Sequence, residues 1–309
     1  MNRELKDIKS NTTHTIVSNK GSAAYWTGHM VANKAFTSAE ESLEHFHWRN
    51  DQYPGYIDLM PVHGQDGKVV LDYGCGPGND VVGFATYSNV KKLIAADVSP
   101  TALEAAKRRL QLHNKNAEFM QVDENKNDIP LPDKSVDYIH TSGVLHHCAN
   151  LGAILNELHR ILKDDGQISV MVYNYSSIWV HLYVAYILQI QQGKFKEKSI
   201  IEAFRRSTDG ENCPISNCYK PGDFISLMRS HGFEGKLKGA AISKTEMKYI
   251  GKRLEATEDR RLAEEHRVFL SELTFNEKGI PLHNGVVAGI DACYQLEKQS
   301  LEKTDGGET

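Results

Sequence analysis

The chain has 309 residues, 40% of them hydrophobic, and a formal net charge of -4. That length and apolar content suit one large α/β domain with additions. The acidic balance excludes the basic field that draws proteins onto nucleic acid or anionic membranes, so no nucleic acid is expected and a small molecule is the expected partner. The five cysteines form no CxxC pair and have no zinc-like spacing, which reads as reduced thiols in a cytoplasmic protein without a metal. No apolar signal core occurs in MNRELKDIKSNTTHT, and the longest apolar run, IWVHLYVAYILQI, is short of the roughly 20 residues a bilayer span needs, so no membrane insertion is expected.

In chain order, residues 1–20 are polar and aperiodic and are expected to fray. Residues 21–65 read as an N-terminal helical flap. Within it, Thr37 or Ser38 followed by Glu40 or Glu41 is a capping-box signature that starts a helix through FTSAEESLEHFHWRN. From Lys68 the pattern changes to KVVLDY, KLIAAD, AEFMQV, VDYIHT and QISVMVY, five short apolar runs with helical stretches between them. The most periodic helix is NLGAILNELHRILKDDG, with Leu151, Ile154, Leu155, Leu158, Ile161 and Leu162 on one face and Gly166 as the stop. Residues 66–175 are therefore expected to form a doubly wound, mostly parallel sheet.

Beyond it, 176–233 reads as a helical cap or lid and GKLKGAAIS as a sixth strand. A second helical insertion is expected over about 245–275, and GVVAGIDACYQLE suits a final antiparallel strand within 234–298. Residues 299–309 read as a flexible tail. The fold expected is thus α/β, a Rossmann-like seven-stranded sheet with helical cap insertions, which serve either a pocket or a homodimer contact.

The stretch KVVLDYGCGPGND places Gly74, Gly76 and Gly78 directly after a strand. A dinucleotide fingerprint needs G-x-G-x-x-G, but Asn79 stands where its third glycine belongs, and the Gly-Lys-Ser/Thr of a phosphate-binding P-loop is absent. A bare glycine turn leaves room for a nucleoside to lie against backbone. The following helix offers free N–H groups to a carboxylate. Asp97, ending the next strand, is placed to accept both ribose hydroxyls; it is also placed to cap the helix from Pro100.

These residues carry a resemblance. VVLDYGCGPG, Asp97, IPLPDKSVDYIHTSGVLHH and ILNELHRILKDDGQISV together resemble the class I S-adenosylmethionine-dependent methyltransferases, above all their ubiquinone/menaquinone-methylase-like branch, over about residues 66–175. The resemblance implies S-adenosyl-L-methionine as cofactor and S-adenosyl-L-homocysteine as product. It implies that Gly74, Gly76 and Gly78 line the methionine part, with Cys75 and Asn79 also binding the cofactor, and that Asp72 approaches the amino group, directly or through water. Asp97 and Val98 would meet the ribose, Asp123 or Glu124 the adenine, and Ser142 and Gly143 would pass close by backbone. In the flap, HFHWRNDQYPGY places Trp48 to cover the cofactor and Arg49 to meet its carboxylate, or else forms an amphipathic helix that only packs on the sheet.

Methyl transfer from a sulfonium is an in-line displacement, and a base is needed only where the acceptor must lose a proton. His146 and His147 stand at the carboxyl end of the fourth strand. Adjacent residues point different ways, so one of them is expected to face the pocket. Tyr173 joins them as a catalytic candidate, and Asn174, Tyr175, Arg206 and Tyr219 are candidates to orient an acceptor. The competing function is a protein that binds the same nucleoside in a regulatory or scaffold role without turnover.

Overall fold

The computed structural model describes residues 21–30, 34–126 and 128–299. The segment 1–20 and all but the first residue of the 299–309 tail, both expected to fray, lie outside these. The central sheet contains β1 (Val69–Tyr73), β2 (Lys92–Asp97), β3 (Glu118–Gln121), β4 (Val136–Ser142), β5 (Leu162–Tyr173) and β6 (Phe233–Ala241). Three short strands, β7 (Thr274–Phe275), β8 (Pro281–His283) and β9 (Val286–Val287), make a separate small sheet before β10 (Asp291–Lys298) returns to the large one. The seven strands run in the order β3-β2-β1-β4-β5-β10-β6. β1 to β5 pair in parallel, and β10 lies antiparallel between β5 and β6. This is the mostly parallel seven-stranded sheet that the sequence predicts.

Alternation along the strands explains why they read as unbroken apolar runs. Val70 packs under α4 (Asn79–Tyr87) and α5 (Pro100–Leu112), with Val82, Phe84 and Leu110, whereas Leu71 packs on the opposite face with Leu155 and Leu158 of α6 (Leu151–Ile161). Both faces are covered, so each strand buries residues of both parities, at about 1.5–3 kcal/mol for each large aliphatic side chain withdrawn from water. The flap adds α1 (Ser22–Gly28), α2 (Ala39–Asp51) and α3 (Tyr56–Leu59). α2 starts as predicted, with the Ser38 hydroxyl accepting from the Glu41 N–H.

Two local expectations differ from what is observed. α6 ends at Ile161, not at Gly166, because Leu162 is fully buried as the first residue of β5, opposite Val136. The connection from β3 to β4 carries no helix among the described residues. Pro130 and Pro132 deny it one, and Ile129 and Leu131 instead plug into the α6 side of the sheet.

After β5 the chain forms a cap. A π-helix (Trp179–Gln191) is followed by α7 (Ile200–Thr208), a loop, and α8 (Pro221–Ser230). The π-helix buries Leu182, Ala185 and Tyr186 against Phe269 and Leu270, contributed by the helical stretch 244–271. No helix among the described residues is long and apolar enough to cross a membrane.

Candidate functional site

The carboxyl ends of β1, β2, β4 and β5 and the amino end of β10 open into one cavity of about 660 Å³. It sits where strand order reverses between β1 and β4, the usual ligand position of open α/β sheets.

The glycine turn forms its floor. Gly74, Gly76 and Gly78 have φ values of 81°, 51° and 83°, which a side chain adopts only with strain. A Cβ on Gly74 would run into the Val144 side chain and one on Gly78 would lie 2.8 Å from the Ala106 Cβ of α5, while one on Gly76 would meet nothing within 4 Å. Gly74 and Gly78 therefore serve close packing, and Gly76 presents open backbone to the cavity. Cys75 and Asn79 also line it. The turn is held by β2, since the Ala96 carbonyl accepts from Gly74 and Cys75 N–H at 2.7 and 3.0 Å.

Asp97 continues that support. Its Oδ2 accepts from the Gly76 N–H and its Oδ1 from the Ser99 N–H, both at 2.8 Å. Each oxygen keeps lone-pair capacity toward the cavity. Ser99 itself caps α5, so the helix-capping role weighed for Asp97 falls to its neighbour. Val98, Asp123 and Glu124 line the same end. Glu124 is already engaged, its Oε1 accepting from the Ala23 N–H at the start of α1 at 3.2 Å. Asp123 is exposed and accepts from the Asn125 N–H at 3.0 Å. Gly143 donates its N–H to the Met171 carbonyl, and Ser142 shares a hydroxyl hydrogen bond with Tyr56.

Asp72 is off the cavity wall. It shares the face of β1 that Val70 uses and is buried beneath the turn with its Oδ2 unpartnered among the described residues. Burial pushes its carboxyl up to about 7, against the opposing pull of His140. Asp80 of α4 reaches the cavity instead. Burial would raise its pKa, but the hydrogen bond from His140, at 3.3 Å, and the charge of Arg49 outweigh that and hold the carboxylate ionised. Arg49 lines the cavity, with its guanidinium 5.0 Å from the Tyr56 ring; Trp48 lines it too but is 55% exposed, at the rim.

The opposite wall comes from β4, β5 and the cap. Of the two adjacent histidines, only His147 lines the cavity. Its Nδ1 meets the Ile215 carbonyl at 2.5 Å, which fixes the proton there and leaves Nε2 as a bare acceptor, 3.9 Å from Asp209 Oδ2. Burial depresses its pKa, and Asp209 partly opposes this. His146 is fully buried, stacked on Tyr173 at 3.8 Å with both ring nitrogens unpartnered among the described residues, and burial keeps it neutral. The Tyr173 hydroxyl donates to Asp209 Oδ1 at 2.8 Å and that of Ser216 to Oδ2 at 2.6 Å. Cys213 brings its sulfur within 4.8 Å of the His147 and Asp209 ligand atoms, but as a thiol, pushed up to about 12 by burial and pointed at the Ile215 carbonyl.

The four acceptor-orienting candidates lie outside the lining. The Asn174 amide ties its own strand end to the Gly289 and Ser176 carbonyls, and the Tyr175 hydroxyl faces Glu265. Tyr219 packs on Phe224, and Arg206 pairs outward with Glu202. Asp80, Tyr53, Asp209 and Asp291 line the cavity without having been anticipated there. Asp209 had a signal only as half of an Asp-Gly turn. Asp291 was legible in principle, because the first residue of an antiparallel strand sits at the edge where its parallel neighbours end.

Comparisons with known proteins agree with this geometry. A family described as a methyltransferase domain matches residues 65–200. The chain is 32% identical over 183 residues to an uncharacterized protein, MJ1252, of Methanocaldococcus jannaschii, covering 55% of this chain and 63% of that one. It is 29% identical over 111 residues to the demethylmenaquinone methyltransferase of Symbiobacterium thermophilum, 35% of this chain and 44% of that one. Residues 65–200 are a class I S-adenosylmethionine-dependent methyltransferase domain. A crystal structure of the geranyl diphosphate C-methyltransferase of Streptomyces coelicolor A3(2), with Mg2+, geranyl diphosphate and S-adenosyl-L-homocysteine, shares the fold with a TM-score of 0.51 at 13% identity, over 89% of this chain and 96% of that one. The chain spans from about a third to just under two-thirds of the length of the curated relatives it matches. The methyltransferase domain's cofactor is S-adenosylmethionine, and the cavity fits it. A Cβ-free turn at Gly76, a cavity-lining Asp97 with spare acceptor capacity and an uncapped α4 N-terminus meet at one end of the cavity.

Proposed function

We propose that the protein transfers a methyl group from S-adenosylmethionine to a small-molecule acceptor bound between the glycine turn and the His147–Tyr173–Asp209 wall. The observation that carries this reading is the single cavity that joins both sets of residues. When bound, the cofactor supplies an electrophilic methyl on sulfur. Asp97 and the Gly76 backbone would orient its nucleoside, and Arg49 would meet its carboxylate. Gly143 and Ser142 would border the methyl end by backbone.

The chain's own contribution is mostly position and exclusion of water, since displacement in line requires the acceptor atom about 3–3.5 Å from the methyl carbon. Trp26, whose ring lies 4.7 Å from that of His147, lids this side. Tyr173 holds Asp209, Asp209 faces the bare Nε2 of His147, and the pair is positioned to take a proton from an acceptor that must lose one. The five free thiols suit a reducing, cytoplasmic setting.

Calorimetric titration with S-adenosylhomocysteine tests the reading. Micromolar binding is expected, weakened at least tenfold by Asp97→Ala and absent for NADH. Well-folded wild-type protein that binds no S-adenosylhomocysteine would defeat it.

A further inference from the structure

The cavity is acidic, and one of the two acids on its acceptor side, Asp209 and Asp291, has no partner among the described residues. Carboxylates outnumber the two lining cations, Lys34 and Arg49, and Lys34 is paired with Glu41 at 3.0 Å. Most lining carboxylates are answered by the protein: Asp97 by two backbone N–H groups, Asp80 by His140, Glu124 by Ala23 and Asp209 by Tyr173 and Ser216.

Asp291 is different. It lines the cavity at 4% exposure, and no group among the described residues donates a hydrogen bond to its carboxylate. Its place is fixed by the sheet, since the register of β10 sets it directly beside Tyr173 of β5 and Ala241 of β6. It therefore flanks Tyr173 while Asp209 receives the hydroxyl of the same tyrosine.

Burying a carboxylate without a donor costs several kcal/mol unless a cation or a proton joins it. The proton is the apo solution: burial pushes the Asp291 carboxyl up to about 7, with the Arg49 charge opposing and Asp209 reinforcing. Tyr53 lines the same region, its phenol raised chiefly by the Asp291 charge. Arg49, the nearest cation, makes no ion pair with Asp291 among the described residues and is shared with Asp80. An anionic acceptor would meet two carboxylates here; an ammonium would meet two carboxylates beside the Tyr53 and Tyr173 side chains that line the same wall.

We propose that the methyl acceptor is a primary or secondary amine, its ammonium drawn in by Asp291 beside Tyr53 and Tyr173 and relieved of its proton by the His147–Asp209 pair. The proposal rests on the methyltransferase reading. In the step, the ammonium gives one proton to His147 Nε2, and the freed nitrogen lone pair forms the N–C bond as the C–S bond breaks. The electron pair of that bond stays on sulfur, leaving neutral S-adenosylhomocysteine and a protonated methylamine; His147 releases its proton to solvent.

The test titrates the protein, saturated with S-adenosylhomocysteine, with 2-phenylethylamine and spermidine, and with 2-phenylethanol and phenylacetate as neutral and anionic counterparts. At least one amine is expected to bind ten or more times tighter than both counterparts. Asp291→Asn is expected to erase that preference while leaving the affinity for S-adenosylhomocysteine within about twofold. Asp209→Asn is expected to weaken amine binding less and to slow deuterated-methyl transfer to the bound amine by about 10²–10⁴, read by mass spectrometry. No preference for either amine would overturn the proposal, as would an Asp291→Asn variant that keeps it. Loss of S-adenosylhomocysteine affinity in Asp291→Asn would instead assign Asp291 to the cofactor's own ammonium and equally overturn it. Failure of the wild-type protein to bind S-adenosylhomocysteine at all would fall on the underlying methyltransferase reading.

Discussion

The two ends of the cavity are made in different ways. The end proposed for the cofactor comes from residues 73–80, 97–99, 122–124 and 142–144, all within the first strands of the sheet, and would act largely through backbone atoms. The end proposed for the acceptor gathers Tyr53 from the flap, His147 after β4, Tyr173 from β5, Asp209 from a cap loop and Asp291 from β10, and would act through side chains. Backbone geometry tolerates little substitution and leaves a recurrent sequence pattern. Side chains assembled from five distant segments are free to change with the acceptor.

The largest expected effect lies at the cofactor end. Gly74→Ala puts a methyl into Val144 at φ 81°, so both fold and binding suffer. A loss of about 2–5 kcal/mol in unfolding free energy is expected from overpacking together with the left-handed backbone, with S-adenosylhomocysteine binding undetectable. Gly76→Ala meets no protein atom, so it should lose only about 1–2 kcal/mol for the left-handed backbone while still blocking the ligand. Chemical denaturation and calorimetry of the two variants separate these effects. Equal stabilities would refute the division of labour between the two glycines.

Next in size is the acceptor wall. Asp209→Asn keeps the hydrogen bond from Tyr173 but removes the charge facing His147. Turnover is expected to fall by about 10²–10⁴ for loss of a proton-transfer partner, with S-adenosylhomocysteine affinity unchanged. His147→Gln should do the same. A parallel loss of cofactor affinity would mean that the two ends are not energetically separate.

This contrast also explains what could be read from the sequence. The sheet, its antiparallel last strand and the glycine turn were legible because they depend on local pattern: apolar runs, glycines at fixed spacing and an acid at a strand end. Asp72 was expected at the cofactor but lies off the cavity wall, because strand parity was not applied to it; counting two residues from Val70 sends its side chain beneath α4. Asn174, Tyr175 and Tyr219 stood at the right sheet edge, yet their groups are consumed by the chain's own carbonyls, carboxylates and rings. Asp291 needed the topology, since only the return of β10 beside β5 sets it against Tyr173, and Asp209 needed the fold-back of the cap that brings the end of α7 to the Tyr173 hydroxyl. The helix expected to reach Gly166 stopped early for a similar reason, as Leu162 is worth more buried in the sheet than on the helix.

A smaller effect is expected in the pH dependence of stability. Glu246 is fully buried at the start of α9 (Lys244–Tyr249), and burial pushes its carboxyl up to about 8 despite hydrogen bonds from Ser243. Because its folded pKa is raised, the folded protein keeps a proton that the unfolded chain releases. Its contribution is most favourable below about pH 4.5 and declines as pH rises toward 8, by up to about 1.4 kcal/mol per pH unit. Asp72 and Asp291, both pushed up to about 7, act in the same direction below that pH. Above about pH 6.5, where the depressed His146 and His147 no longer add stability with rising pH, thermal unfolding of the apo protein should shift to lower temperature up to pH 8, and Glu246→Gln should flatten that decline. A Glu246→Gln profile parallel to wild type would show that the carboxyl does not titrate there.

The smallest effect tests how sharply the acceptor end is bounded. Arg206 has the chemistry to bind an anionic acceptor, but its guanidinium pairs with Glu202 on its own helix at 2.7 Å and reaches toward the exposed Glu211. Such i,i+4 pairs contribute about 0.3–0.5 kcal/mol, so Arg206→Ala should change stability by no more than that and leave the KM for the acceptor unaltered. A rise in KM would require the cap loop to swing Arg206 inward when the acceptor binds. That would bring a cation to a wall defined by carboxylates, and the selectivity for amines over anions would then have to come from Asp291 against Arg206 together, a balance that Asp291→Asn and Arg206→Ala combined would expose as non-additive.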